Sequence, residues 1–368
     1  MPVDFHVPLP DRTAPLAAGG ILGWMRVNLF NSPLNSLLSV VLLYVIGWAG
    51  WRIADWAIFG AVWAHVAPEV CKENPDQGAC WAFIAEKYRL ILFGRYPFDE
   101  QWRPLLAMFV LIAAIAFSCD RRFWRAWLGA VWLGALGLFG FLMWGGVLGM
   151  SFVETNLWGG LPLTLILSVV GIVVAFPFSI LLALGRRSHM PAMRAVCVTY
   201  IELIRGVPLI SLLFMASFML PLFLPTGMKF NALLRAQVAI VMFTAAYLAE
   251  VIRGGLQSIP KGQYEAASAI GLGYWQSMRK IVLPQAIRAV IPPIVNTFIG
   301  MFKDTSLVAI VSLTDLLLAT RQAIADPNWR AFFVEGYIFI ALIYFVFCFF
   351  MSRYSQHLEI QLRSGSRR

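Results

Sequence analysis

Between Leu161 and Leu184 the chain reads LPLTLILSVVGIVVAFPFSILLAL, without one charged side chain. A helix crosses about 30 Å of hydrocarbon with about 20 residues, and in lipid its backbone polar groups must pair within the segment. The stretch is therefore expected to span a membrane. Seven more apolar segments are read the same way: Leu34 to Ala54, Pro104 to Cys119, Ala126 to Leu148, Val207 to Leu224, Ala236 to Gly254, Gln285 to Phe302 and Val334 to Met351. Only 13% of the residues are charged, against roughly 25% in a soluble domain. The expected fold class is an all-α polytopic membrane protein with about eight spans.

The formal charge of +10 would suit a nucleic-acid partner, but the basic residues gather at the ends of spans. Arg121, Arg122 and Arg125 form one group, and Arg186, Arg187, Arg194 and Arg205 the next. Lys261, Arg279, Lys280 and Arg288 follow, then Arg353, Arg363, Arg367 and Arg368. Such clustering is the cytoplasmic bias of membrane proteins, so nucleic acid is excluded. Alternate loops are basic, which places both termini in the cytoplasm and the segment from Asp55 to Arg103, with Glu69, Glu73, Asp76, Glu86, Asp99 and Glu100, outside. The first twenty residues lack the basic start and apolar core of a cleavable signal, so the first span is expected to serve as its own anchor.

One polar stretch interrupts the spans, Gln263 to Pro284, reading QYEAASAIGLGYWQSMRKIVLP. Tyr264 to Ala269 are mostly good helix formers, and Gly271 and Gly273 permit a sharp turn. Ala266, Ala267, Ile270, Leu272, Met278 and Ile281 alternate with Glu265, Gln276, Arg279 and Lys280, too polar for lipid and too apolar for a bare loop. A helix, turn and helix with one face on a partner is expected; an interfacial amphipathic helix without a partner is the alternative. Pro284 suits the first turn of the following helix.

Glu265-Ala266-Ala267, three residues, Gly271, nine residues, then Ile281-x-Leu283-Pro284 resembles the EAA motif of permease subunits in binding-protein-dependent ABC importers. IELIRGVPLI (201–210), YLAEVIRGGLQSIPKGQYEAA (247–267) and NTFIGMFKDTSLVAIVSLTDL (296–316) resemble the polar amino acid branch of that family. The whole layout is similar to the M-type subunit of general L-amino-acid importers. The resemblance implies a five-helix type I importer core over 156–368, preceded by an extension, 1–155, with three spans and a long periplasmic loop. It implies that Glu265, Ala266, Ala267, Gly271, Ile281, Leu283 and Pro284 couple the chain to an ATPase. The implied partners are two ATPase subunits that bind ATP and Mg, a second and different permease subunit, a periplasmic amino-acid-binding protein, the lipid of a bacterial inner membrane and an L-amino acid. No cofactor is expected in this chain.

No GxxxxGK[ST] loop occurs, so nucleotide hydrolysis is assigned to another subunit. Histidines are scattered at His6, His65, His189 and His357, and no zinc, GxSxG or HExxH pattern appears, so neither a metal site nor catalysis is expected. A self-sufficient secondary transporter or channel is the rival reading; it would place ionisable residues within spans and often carry inverted repeats, and no internal repeat is visible.

A zwitterionic amino acid needs an anion for its ammonium and donors for its carboxylate. Asp304 is the candidate for the first, and Asn296, Thr305 and Ser306 for the second. The alternative is a Lys303–Asp304 helix cap at the outer membrane face. Glu202 with Arg205, and Glu250 with Arg253, stand three apart and suit local ion pairs. Glu250, an acid inside or beside a span, is counted with the pathway candidates because such a group normally faces a bundle interior or water. Gly145 and Gly149 form a GxxxG pair in the third span. Cys71 and Cys80 fall in the external loop, where they form a disulfide or remain thiols; Cys119, Cys197 and Cys348 lie in spans or at cytoplasmic ends.

Overall fold

The computed structural model describes residues 20–63, 65–73, 78–125, 127–223, 225 and 230–364. The expected lack of a leader, Asp76, the span ends at Ala126 and Leu224, and Arg367 and Arg368 lie outside the described residues. The chain forms two compact units, Met1–Trp81 and Ala82–Arg368.

The first unit holds α1 (Ile21–Asn28), α2 (Pro33–Ala54) and α3 (Pro68–Lys72). Ser32 caps α2 by accepting the Asn35 N–H at 3.2 Å, and Pro33 occupies the first turn, where its missing N–H is no loss. No residue of α2 is buried, as suits a helix apolar on all sides whose solvent is lipid. Beyond it the Trp81 indole donates to the Ala57 carbonyl at 2.8 Å, and a disulfide joins Cys71 to Cys80 with Cα atoms 5.8 Å apart.

The second unit begins with α4 (Ala82–Phe93), α5 (Trp102–Cys119) and α6 (Leu128–Trp144). It continues with α7 (Gly160–Arg186), α8 (Pro191–Arg205), α9 (Leu209–Phe214), α10 (Leu220–Phe223) and α11 (Ala232–Ser258). The elbow supplies α12 (Lys261–Ala269), α13 (Tyr274–Ser277) and α14 (Leu283–Ala289), followed by α15 (Ile291–Asp304), α16 (Leu316–Ile324) and α17 (Phe333–Ser364).

Among the described residues, six helices are long and apolar enough to cross a membrane: Pro33–Phe59, Phe98–Cys119, Gly160–Arg186, Ala232–Ser258, Ile291–Val311 and Arg330–Gln361. A seventh crossing results if the bent pair α8 with α9–α10 counts as one, and α6 is a shorter apolar helix.

Three features differ from the sequence expectations. The basic loop expected between Arg186 and Arg205 contains α8, which meets the following helix at 102°. Cys197, Ile201 and Ile204 recur at helical spacing and are buried, while Pro208 removes a donor and holds Val207 out of the helical region, so the bend falls there. The segment expected as one span from Gln285 to Phe302 breaks at Val290 (φ −115°, ψ 18°), because Pro292 and Pro293 cannot donate into the preceding turn and are tolerated only at a fresh helix start. Gly145 and Gly149 are not a helix-packing pair. They follow the end of α6 in a loop with φ of +65° and +79°.

Helices α4, α5 and α6, assigned by sequence to the extension, lie in the same compact unit as the five-helix core. Gly160, at the start of α7, has φ +65°, and a Cβ there would stand 2.1 Å from the Leu92 carbonyl oxygen, so only glycine permits α4 and α7 to meet so closely. Lys87 of α4 binds Asp326 at 2.8 Å, and the Phe83 ring lies 6.0 Å from that of Trp329. Within the bundle, Leu163, Leu167, Leu213, Ile240 and Val308 are buried together. Lipid offers no water to escape from, so close packing and dispersion hold this cluster.

Candidate functional site

The elbow is built with two unlike faces. Met278, Val282 and Ala286 are buried in one cluster with Ala183 and Leu184 of α7, Ile201 of α8, and Ala249, Ile252 and Leu256 of α11, and Ala267 of α12 is buried as well. Polar ties add to this clamp. Tyr264 donates its hydroxyl to the Leu256 carbonyl at 3.3 Å, and the Gln285 amide donates to Gln263 Oε1 at 3.1 Å. A Cβ at Gly255 would lie 2.6 Å from the Ala286 carbonyl oxygen, so α11 and α14 cross almost backbone to backbone.

The turn between α12 and α13 is a Schellman motif. Leu272 N–H reaches the Ala267 carbonyl at 3.1 Å, and Gly271 N–H reaches that of Ser268 at 3.0 Å. Gly271 supplies the left-handed residue at φ +76°. Gly273, expected to share the turn, is extended (φ −66°, ψ 163°) and precedes α13. The turn holds Ile270, Tyr274 and Trp275 outward, 72%, 55% and 67% exposed. Of the motif residues, Glu265, Ala266, Gly271 and Pro284 are exposed, Ala267 is buried, and Ile281 and Leu283 are half-buried.

Just inside the elbow, Glu250 gathers three arginines. Arg253 Nη2 lies at 2.8 Å, Arg186 Nη1 at 2.9 Å and Arg205 Nη1 at 3.7 Å, so α7, α8 and α11 meet at one carboxylate. Of the two pairs that the spacing allows, Glu202–Arg205 does not form; Glu202 binds Arg186 at 2.8 Å. Arg186 was legible only as a loop marker, because its partners are remote in sequence.

The structure separates the pathway candidates. A Cβ at Gly171 would lie 2.6 Å from Met301 Cε and 3.4 Å from Gln237 Nε2, which sets Met301 level with Gln237. Glu250 stands about 20 Å further along α11 from that level, at the elbow end and away from Asp304. On α15, Asn296 and Lys303 are exposed on one helical face, with Gly300 between them opening onto empty space. Asp304 flanks that face, half-buried, and its carboxylate caps no helix end. Thr305 is turned to the opposite side, fully buried, donating to the Phe302 carbonyl at 2.7 Å, and Ser306 is half-buried.

A polar joint between α7 and α16 lies at the end of the bundle remote from the elbow. Asp315, fully buried, caps α16 by accepting the Leu317 and Leu318 N–H groups, each at 3.0 Å. Thr164 accepts the Leu316 N–H at 3.2 Å, and the Thr314 carbonyl accepts the Gly160 N–H at 2.8 Å. Burial pushes the Asp315 carboxyl up to about 6 against the pull of those N–H groups. Thr314-Asp315 before a run of leucines is the helix-start signal in the sequence that corresponds to this joint.

Residues 175–364 match the model for the binding-protein-dependent transport system inner membrane component. The inner membrane amino-acid ABC transporter permease protein YhdY of Escherichia coli is 46% identical over 366 residues, covering 97% of each chain. The glutamate/glutamine/aspartate/asparagine transport system permease protein BztC of Rhodobacter capsulatus is 39% identical, covering 98% of each. A crystal structure of an amino acid ABC transporter with histidines superposes with a TM-score of 0.49 at 32% identity, over 55% of this chain and 92% of that one. The clamped elbow and the match over the core lead to one statement: the chain belongs to the family of inner membrane components of binding-protein-dependent transport systems.

Proposed function

We propose that this chain is the membrane-spanning permease subunit of an ATP-driven importer of L-amino acids, seated in a bacterial inner membrane. The observation that carries the reading is the elbow, one face of which is locked into the ends of α7, α8 and α11 while the other exposes Ile270, Tyr274 and Trp275. Aromatic and branched apolar side chains clustered in this way are the usual anchors of an interface. A separate ATPase, present in two copies and holding ATP and Mg, is the partner that fits. Force applied at the exposed tip passes through α14 to the break at Val290, where α15 can pivot.

The open face of α15 lines the path of the amino acid. Lys303 meets a carboxylate and Asn296 adds an amide, while Asp304 at the flank faces the ammonium. Glu250, Thr305 and Ser306 hold helices in place rather than touch cargo. The relatives in Escherichia coli and Rhodobacter capsulatus are amino-acid transport permeases, which supports the substrate class. A second, different permease subunit completes the path, a periplasmic amino-acid-binding protein delivers the cargo, and both termini lie in the cytoplasm. The extension 1–155 precedes the transport core 156–368. Affinity purification of the tagged chain from its own cells tests the assembly: an ATPase subunit and a second permease are expected to co-elute. Elution of the chain alone, with uptake driven by an ion gradient, would refute the reading.

A further inference from the structure

At the elbow end of the bundle, where α5 and α17 finish, lies an open cleft of about 650 Å³ lined by Ala116, Cys119, Asp120, Arg122, His357 and Gln361. Its walls are tied together: the Tyr354 hydroxyl of α17 donates to the Cys119 carbonyl of α5 at 3.1 Å. Its depth is set by tryptophans. Trp124 and Trp127 are 49% and 41% exposed beside it, and the Trp124 indole donates to the Ser118 carbonyl at 2.8 Å. Tryptophan at the end of a span marks the level of lipid headgroups.

The cleft presents both signs of charge without neutralising them. Asp120 Oδ1 accepts the backbone N–H of Arg122 at 2.9 Å, which fixes the carboxylate in a turn, and no ion pair joins the two side chains among the described residues. Gln361 Nε2 stands 2.7 Å from His357 Nε2 on the facing wall, which adds a polar pair. An anionic headgroup would satisfy Arg122 and be repelled by Asp120. A headgroup with a phosphate and a primary ammonium satisfies both.

We propose that this cleft binds the headgroup of an aminophospholipid of the phosphatidylethanolamine class, with its phosphate on Arg122 and its ammonium on Asp120. The lipid then fills the cleft between α5 and α17, beside one of the added helices and the last helix of the transport core.

Native mass spectrometry of the chain released from nanodiscs tests this, using equal mixtures of phosphatidylethanolamine, phosphatidylcholine and phosphatidylglycerol. Wild-type chain is expected to retain phosphatidylethanolamine over phosphatidylcholine by about tenfold or more, the order of one charge-assisted hydrogen bond. Asp120→Asn should bring that ratio to about one, and Arg122→Gln should lower retention of both lipids. Asp120 and Arg122 are exposed, and gel filtration confirms that each variant is folded before the lipids are compared. Equal retention of the two lipids by wild type overturns the proposal, as does preference for phosphatidylglycerol or an Asp120→Asn variant that keeps its selectivity. Displacement of the lipid by millimolar glycerophosphoethanolamine as readily as by lipid would show a site for soluble phosphates and overturn it equally.

Discussion

Arg186 at the end of α7 holds Glu250 of α11 at 2.9 Å, although the two are far apart in sequence. Arg205 and Arg253 close on the same carboxylate, so Glu250, with Glu202 also on Arg186, offsets the mutual repulsion of three cations beside the elbow. Replacing Glu250 by Gln leaves those cations together. The cost lies between that of a surface pair and that of a broken buried one, about 1–3 kcal/mol. A melting temperature several degrees lower in detergent is expected, with recovery in the double variant Glu250→Gln, Arg186→Met. An unchanged melting curve for Glu250→Gln would mean that the cluster holds nothing.

Gly271 separates backbone strain from steric blockage. A Cβ there meets nothing within 4 Å, so Gly271→Ala faces only the left-handed φ, worth about 1–2 kcal/mol. Gly271→Pro also loses the N–H given to Ser268 and cannot reach φ +76°. Uptake is expected to fall several-fold in the alanine variant and to vanish in the proline variant, with both chains still inserted. Equal uptake by the two variants would place the requirement elsewhere.

The sequence carried the helical class, the elbow and the motif residues, because apolar runs and the spacing of Glu265, Gly271 and Pro284 are local signals. It did not carry the assignment of Glu250. Its partners Arg186 and Arg205 come from other helices, and the local Arg253 pair gave no sign of them. The inward turn of Thr305 is illegible in the sequence for a related reason. Adjacent polar residues such as Lys303, Asp304 and Thr305 point in different directions on a helix, and only packing against Phe302 and α17 shows which one is turned inward. The bend at Pro208 was hidden because arginines at both ends of α8 gave it the composition of a loop.

Asp315 should make stability depend on pH. Its carboxyl lies above the ordinary value of 3.8, at about 6, so the folded chain binds this proton more tightly than the unfolded one. The stabilisation is complete below about pH 4 and is lost as pH rises through about 6. Wild-type melting temperature is expected to fall between pH 5 and 7, whereas Asp315→Asn, still a good helix cap, should give a flatter profile and melt higher at pH 7.5. Parallel profiles would remove Asp315 as the source.

The face of α15 predicts which substitutions change transport. Lys303→Gln removes a charge-assisted contact worth about 1.5–3 kcal/mol and should raise KM for a carboxylate-bearing amino acid by about ten- to a hundredfold. Asp304→Asn should weaken discrimination for the ammonium group, while Thr305→Val should lower the melting temperature and leave substrate preference unchanged. Wild-type KM in Lys303→Gln, measured with labelled glutamate and glutamine, would exclude that face from the path.

The most direct test of the account is amino acid uptake into proteoliposomes holding the co-purified assembly, measured with and without internal-facing ATP, for wild type and for the variant Ile270→Ser, Tyr274→Ser, Trp275→Ser. These side chains lie on the exposed face and contribute nothing to the buried cluster. ATP-dependent uptake by wild type is predicted, together with loss of uptake and of ATPase association in the triple variant at an unchanged melting temperature. Uptake that proceeds without ATP, or a triple variant that binds the ATPase and transports at the wild-type rate, would contradict coupling through the elbow.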